Sequence, residues 1–254
     1  MQTDLSGRTA LVTGAGRGNG RAIARMLAEH GAQTVVNDVE GDVAEATAAD
    51  IRDDGGDAYG IEADVSDEDD VTAMVTEVTD VFDTVDILVN NAGIGGAHAL
   101  EELDDPSSFA PFLDVHLWGA INCTHAVLDP MLDQGYGKIV NLTSIHTKNG
   151  VGRSAEYDVA KFGLLGLTKT LALELGRSGV RVNAVAPGWV NTRMTDKFDE
   201  ETVERITDLN PLGRFAEPEE VASAVTFLAS PASDYVNGHE LRVDGGQAPI
   251  DRWP

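Results

Sequence analysis

Apolar residues fall along this chain in two alternating rhythms. Short, β-branched runs recur at TALVTG (9–14), TVVND (34–38), the 60–64 region, DILVNN (86–91), KIVNLTS (138–144), RVNAVAP (181–187) and LRVDGG (241–246). Between them lie longer segments whose apolar positions return at helical spacing, at 20–30, 68–82, 112–132, 155–175 and 217–229. Nearly continuous apolar strands that alternate with helices predict a parallel sheet, because each parallel step needs a crossover that covers one face. Seven strands and six or seven helices use up the chain as a single α/β domain, a Rossmann fold with helices on both faces of a seven-stranded parallel sheet. Residues 188–211 carry neither rhythm and read as a long irregular stretch. A loop of that length in a compact domain is usually functional, and here it is expected to be a substrate lid.

Composition narrows the partners. The 254 residues, 42% of them hydrophobic, can build a sizeable core, yet no run approaches the roughly 20 uncharged apolar residues of a membrane span. The opening MQTDLSGRTALV lacks the pattern of a signal peptide, so a cytoplasmic protein is expected. Acidic residues number 43 against 18 basic, only five of them lysine, for a net charge of −25. Such a surface repels nucleic acid and anionic lipid and leaves a small-molecule substrate as the expected partner. Acid excess with scarce lysine fits a halophilic source; the alternative is an acidic mesophilic protein. The lone Cys123 has no companion for a disulfide or a structural zinc site, and no metal is expected.

The first strand runs into Thr13-Gly14-Ala15-Gly16-Arg17-Gly18-Asn19-Gly20, and a helical segment follows at once. Glycines there let a pyrophosphate approach a helix N-terminus, where unpaired N–H groups and the helix dipole favour anions. Asp38 ends the second strand 18 residues beyond Gly20, near the offset of a ribose-binding carboxylate. A carboxylate there accepts from the adenosine 2′-hydroxyl and repels a 2′-phosphate, which favours NAD as cofactor. Arg17 is the competing signal, since a loop arginine could pair with that phosphate. Asp64-Val65, after the third strand, is placed either to meet the adenine edge or to cap the next helix.

With this loop, Asn90-Asn91-Ala92-Gly93, Ser144, Tyr157-x-x-x-Lys161 and Pro187-Gly188, the chain resembles the short-chain dehydrogenase/reductase family from Gly7 to Gly246. The resemblance implies hydride transfer between a nicotinamide cofactor and a secondary alcohol or ketone, with Ser144, Tyr157 and Lys161 as the catalytic residues. Tyr157 and Lys161, four apart on a helix, share one face. A phenol with a pKa of about 10 needs about 4 kcal/mol to titrate near pH 7, and one ammonium at ~4 Å in an effective dielectric near 20 supplies about that much. Ser144 would stabilise charge on the substrate oxygen. The family further implies that Lys161 holds the nicotinamide ribose, that the Val190 backbone and Thr192 hydroxyl reach the carboxamide, and that Asn91 steadies the cofactor loop. It also implies a homotetramer built on the helices at 112–132 and 155–175 and on the C-terminal segment.

Several positions depart from the family pattern. His116, in Val115-His116-Leu117-Trp118-Gly119, stands where many members have a catalytic asparagine. Its imidazole either takes over that proton relay or only props the helix. Val-His-Leu-x-Gly, with Val36-Asn37-Asp38 and Gly163 to Leu167, is similar to 3-oxoacyl reductase and (3R)-hydroxyacyl-CoA dehydrogenase members, which favours a 3-hydroxyacyl or 3-oxoacyl thioester. Ser144-Ile145-His146 and Pro187-Gly188-Trp189 are instead similar to 3-hydroxybutyrate dehydrogenases, where such a histidine and tryptophan line a small pocket. Gly95 and Ser154 replace that group's glutamine and lysine, and Arg153 is the candidate to compensate. Arg153, Lys148 and Arg193 are also the cations available to a thioester's phosphates. Dehydrogenation of a small sugar, polyol or hydroxy acid therefore stays open, as does a non-catalytic NAD-sensing protein.

Overall fold

A computed structural model describes residues 3–247 except Ala97, Asp104 and Val151. The seven apolar runs form β1 (Thr9–Val12), β2 (Gln33–Asp38), β3 (Asp57–Glu62), β4 (Ile87–Asn90), β5 (Gly137–Leu142), β6 (Val180–Pro187) and β7 (Glu240–Val243). They make one sheet of order β3-β2-β1-β4-β5-β6-β7, with every adjacent pair parallel. Strand side chains alternate between two cores. Val12, Val36, Val89 and Val185 join α1 (Gly18–Glu29), α2 (Gly41–Asp53) and α8 (Pro218–Ala229) on one face. Leu11, Val35, Leu88 and Val182 join α3 (Glu68–Phe82), α5 (Gly119–Gln134) and α6 (Ala155–Leu175) on the other. The strand order reverses between β1 and β4, and the region beyond the carboxyl ends of these two strands is the usual ligand position in such sheets.

Two helices lie outside the segments read from periodicity. α2 buries Ala44, Thr47, Ala48 and Ile51, a helical stripe that three small residues made faint. The second, α7 (Glu200–Leu209), corrects the reading of 188–211 as irregular. It has a sharp start, the Asp199 carboxylate accepting from the Thr202 N–H at 2.8 Å, and a single buried anchor, Ile206. The excursion that carries it closes on itself. Val190 bridges Ala216, Asn191 N–H donates to the Ala216 carbonyl at 2.9 Å, and Ala216 N–H donates to the Trp189 carbonyl at 2.8 Å.

The segment read as one helix over 112–132 is instead three pieces: α4 (Phe109–Leu113), a π-helical turn over Asp114–Trp118, and α5. The wide turn holds His116, and such bulges are frequent at functional sites. Among the described residues no helix is long and apolar enough to cross a membrane.

Candidate active site

Three glycines of the loop, Gly14, Gly16 and Gly20, leave no room for a side chain. A Cβ on Gly20 would stand 2.3 Å from the Gly14 carbonyl oxygen, and one on Gly16 would stand 2.8 Å from an Asp38 carboxylate oxygen. Gly14 (φ +59°) adopts a left-handed conformation, and its Cβ would meet the Ala92 backbone at 2.8 Å. α1 opens with no side-chain cap and no acidic residue in its first turn, while Asn19 buries an amide oxygen without a partner. The helix N-terminus is thus left to an anionic group, and the cradle fits a dinucleotide pyrophosphate. Asn91 braces it: its amide donates to the carbonyls of Thr13 and Gly14 at 2.9 and 3.0 Å. The Thr13 hydroxyl accepts from the Asn91 and Ala92 N–H groups.

Beside the loop, Asp38 accepts from the Gly16 N–H and from the Glu40 N–H, both at 3.1 Å. Arg17 points to Glu40, which takes its two guanidinium nitrogens at 2.5 and 2.8 Å. Asp64 does not cap α3, since Asp67 does that through the Asp69 and Asp70 N–H groups. Asp64 closes its own turn on Ser66, and the Val65 carbonyl accepts from Asn122. Gly18 lies against the Thr192 side chain, which brings the start of the excursion over the loop. Pro187 ends β6 opposite Val243, and the Gly188 N–H donates to the Val243 carbonyl.

Ser144, Tyr157 and Lys161 converge beyond β5. Burial pushes the Tyr157 phenol up to about 12, while a hydrogen bond with Ser144 pulls it down and Asp158 raises it. Burial also lowers Lys161 to about 7. The Lys161 ammonium donates to the Leu142 carbonyl at 2.6 Å and stands 5.6 Å from the Tyr157 ring centre. Desolvation is the leading influence on the tyrosine, ahead of its hydrogen bond with Ser144.

Two imidazoles meet the Tyr157 ring edge-on, with centroids 5.4 Å away for His116 and 5.2 Å for His146. His116 is buried, its Nε2 beside the Ile94 carbonyl at 3.0 Å and its Nδ1 without a partner. Burial, reinforced by Lys161, lowers its pKa to about 3, so it is neutral at working pH. Gly93 makes this possible, because a Cβ there would meet the imidazole at 2.5 Å. His146 Nδ1 lies 2.6 Å from Asp158, which also accepts from the Ser154 hydroxyl at 2.8 Å. Behind Ser144, Glu240 of β7 accepts from the Thr143 and Thr147 hydroxyls, both at 2.7 Å. Asp158, Glu240 and Glu40 went unmarked in the sequence. Nothing local flags Glu240, which lies 93 residues from Thr147.

Arg153 is not brought to the pocket. Its side chain, 62% exposed, is paired with Glu102, and its backbone has φ +56°. Ser154 is committed to Asp158 rather than to a substrate carboxylate. At Gly95 a Cβ would lie 3.0–3.2 Å from the Met194 side chain, so a thioether covers the place expected of a glutamine. Trp189 packs against Phe198 and Phe215 at 5.3 and 6.3 Å, an aromatic cluster beneath the excursion.

Known proteins resemble this chain over nearly its whole length. Residues 14–248 match the family model described as enoyl-(acyl carrier protein) reductase. The chain is 42% identical over 248 residues to a 3-oxoacyl-[acyl-carrier-protein] reductase of Synechocystis sp., covering 96% of this chain and 98% of that one. It is 40% identical over 240 residues to the corresponding reductase of Staphylococcus aureus, covering 94% and 97%. A crystal structure of gluconate 5-dehydrogenase from Burkholderia cenocepacia in complex with NADP and tartrate superposes with a TM-score of 0.93 at 36% identity, covering 98% of each chain.

Proposed function

The chain belongs to the short-chain dehydrogenase/reductase family, and on that premise we propose that it is an NAD-preferring enzyme interconverting a 3-hydroxyacyl thioester and its 3-oxo form. The observation that carries the chemistry is the convergence of Ser144, Tyr157 and Lys161 at the carboxyl end of β5, beside a cradle that fits a dinucleotide. When bound, the nicotinamide supplies or accepts the hydride at the carbinol carbon. Gly14, Gly18, Gly20, Asn19, Asn91 and Ala92 would hold the pyrophosphate side of the cofactor, Asp38 the adenosine ribose, and Lys161, Val190 and Thr192 the nicotinamide side. Tyr157 holds the proton that moves: it donates to the carbonyl oxygen in reduction and takes the hydroxyl proton in oxidation. A phenol pushed up by burial is held protonated, so the proton is at hand for reduction, while oxidation needs the scarce phenolate, which the Lys161 ammonium and the cofactor's charge would favour. Ser144 donates to the same substrate oxygen.

Asp38 supports NAD, since its carboxylate faces the glycine loop through one oxygen and the Glu40 N–H through the other, where a 2′-phosphate would add like charge. The thioester reading is supported by the 3-oxoacyl reductase relatives and by Leu100, Met194, Leu209 and Leu212, apolar groups exposed on the two segments that meet at Gly95 and Met194. A small polyol or hydroxy acid is the second reading, favoured by the His146–Asp158 pair beside Tyr157. The excursion over 188–211 serves as the lid in either case. Exposed Trp118 on the π-helical turn and exposed Val159, Phe162 and Leu173 on α6 support a homotetramer. The C-terminal part of that expected interface, 248–254, lies outside the described residues.

The deciding experiment follows NADH absorbance in high KCl with 3-oxoacyl thioesters, 3-hydroxybutyrate, gluconate-like polyols and simple secondary alcohols. Turnover confined to polyols would replace the thioester reading. Dinucleotide binding without turnover on any substrate would leave only a sensing role.

A further inference from the structure

Arg17 sits in the glycine loop between two glycines, where a guanidinium is a natural receptor for a phosphate. Its fork is occupied. Glu40 meets both terminal nitrogens, at 2.5 and 2.8 Å, in the bidentate geometry that a phosphate would otherwise use. Glu40 belongs to the same corner as Asp38, because its backbone N–H donates to an Asp38 carboxylate oxygen at 3.1 Å. The other Asp38 oxygen accepts from Gly16, next to Arg17 in sequence. Three side chains therefore converge where the adenosine ribose is expected: one carboxylate against the loop, one cation, and a second carboxylate closing that cation.

We propose that Glu40 is a specificity-determining residue, which locks Arg17 and so denies a 2′-phosphorylated dinucleotide the one guanidinium of the loop that could receive it. The inference rests on the NAD preference proposed above and divides that preference into two devices. Asp38 repels the phosphate directly. Glu40 removes the compensating cation, which is why an arginine in this loop does not signal a preference for NADP. The pairing leaves its mark on both partners, holding the Glu40 carboxyl below its ordinary range and raising Arg17, with Arg193 of the excursion adding to the pull on Glu40. The side chains are 40% and 57% exposed, so the lock is a screened surface pair that a phosphate can contest, and its effect is graded rather than absolute.

The test is a cycle of four proteins: wild type, Glu40→Gln, Arg17→Ala and the double variant. Each is titrated with NADPH and with NADH by the rise in nicotinamide fluorescence on binding, a readout independent of turnover. Glu40→Gln keeps the backbone N–H that Asp38 uses, and both side chains are surface groups. We expect Glu40→Gln to tighten NADPH about three- to tenfold, the range of losing one exposed pair and one repelling charge, with NADH changed less than about twofold. The gain should vanish in the Arg17→Ala background. An equal gain with and without Arg17 would overturn the proposal in favour of simple charge removal. No gain, or an equal gain for both dinucleotides, would overturn it as well. Wild-type protein that binds NADPH as tightly as NADH would refute the NAD preference itself, whereas the coupling of Glu40 to Arg17 is still read from the changes within the series.

Discussion

At Tyr157, burial and hydrogen bonding pull in opposite directions, and burial wins. Tyr157→Phe keeps the ring against both imidazoles and removes only the hydroxyl. Turnover should fall by at least about a thousandfold with the dinucleotide Kd nearly unchanged, because the lost step is proton transfer; residual activity within tenfold of wild type would refute the assignment. His116 gives a stability test. The unfolded chain takes a proton there near pH 6.5 and the folded protein only near about 3, so the unfolded state binds the extra proton between these values. The contribution is complete above pH 6.5 and is lost as pH falls toward 3, with a slope of at most about 1.4 kcal/mol per pH unit. His116→Asn should flatten that limb in urea titrations at pH 6.5, 5.5 and 4.5, and an unchanged slope would rule out a buried neutral imidazole. At this scale the motif residues were legible because their chemistry dictates both type and spacing. Arg153 was misread because its partner, Glu102, lies 51 residues away, and the sequence does not show which charge meets which.

Elements differ in how openly they advertise themselves. Strands β1 and β4–β6 are buried on both faces and were plain as apolar runs. α3 and α6 were plain too, with Val71, Met74, Val75 and Val78 marking one helix face. α2 was not, because alanine and threonine fill its buried stripe and say little in a hydropathy pattern. The π-turn at 114–118 could not be read at all, since one residue added to a helical turn leaves the apolar spacing nearly intact. Two changes test what elements contribute. Asp67→Ala removes the cap of α3 and should cost about 1 kcal/mol in urea unfolding without affecting turnover. Glu240→Leu removes the carboxylate shared by the Thr143 and Thr147 hydroxyls and leaves them only their backbone acceptors, the Val185 and Ser144 carbonyls. That change should lower kcat about tenfold while dinucleotide Kd stays put, and equal losses in both would mean general damage rather than displacement of the serine.

For the whole molecule, charge is the dominant fact. A net −25 on 254 residues opposes compaction, and mobile cations relieve it. Tm should climb as KCl is raised from low to molar concentration, and a flat curve would discard the halophilic reading. Assembly is tested alongside it: Phe162→Glu places a charge on the exposed apolar face of α6 and should shift the mass in solution toward smaller species, whereas unchanged mass would move the interface elsewhere. The junction at Val190 and Ala216 has a consequence at this scale. Entry and exit of the excursion are tied to each other and seated together on the core, so the length between them can change while the strands keep their register. Lengthening a loop closed in this way costs only about 0.6 kcal/mol per doubling. A descendant or an engineer could therefore exchange the part of this segment beyond Thr192 for another and alter what the pocket admits, leaving the residues around Tyr157 in place.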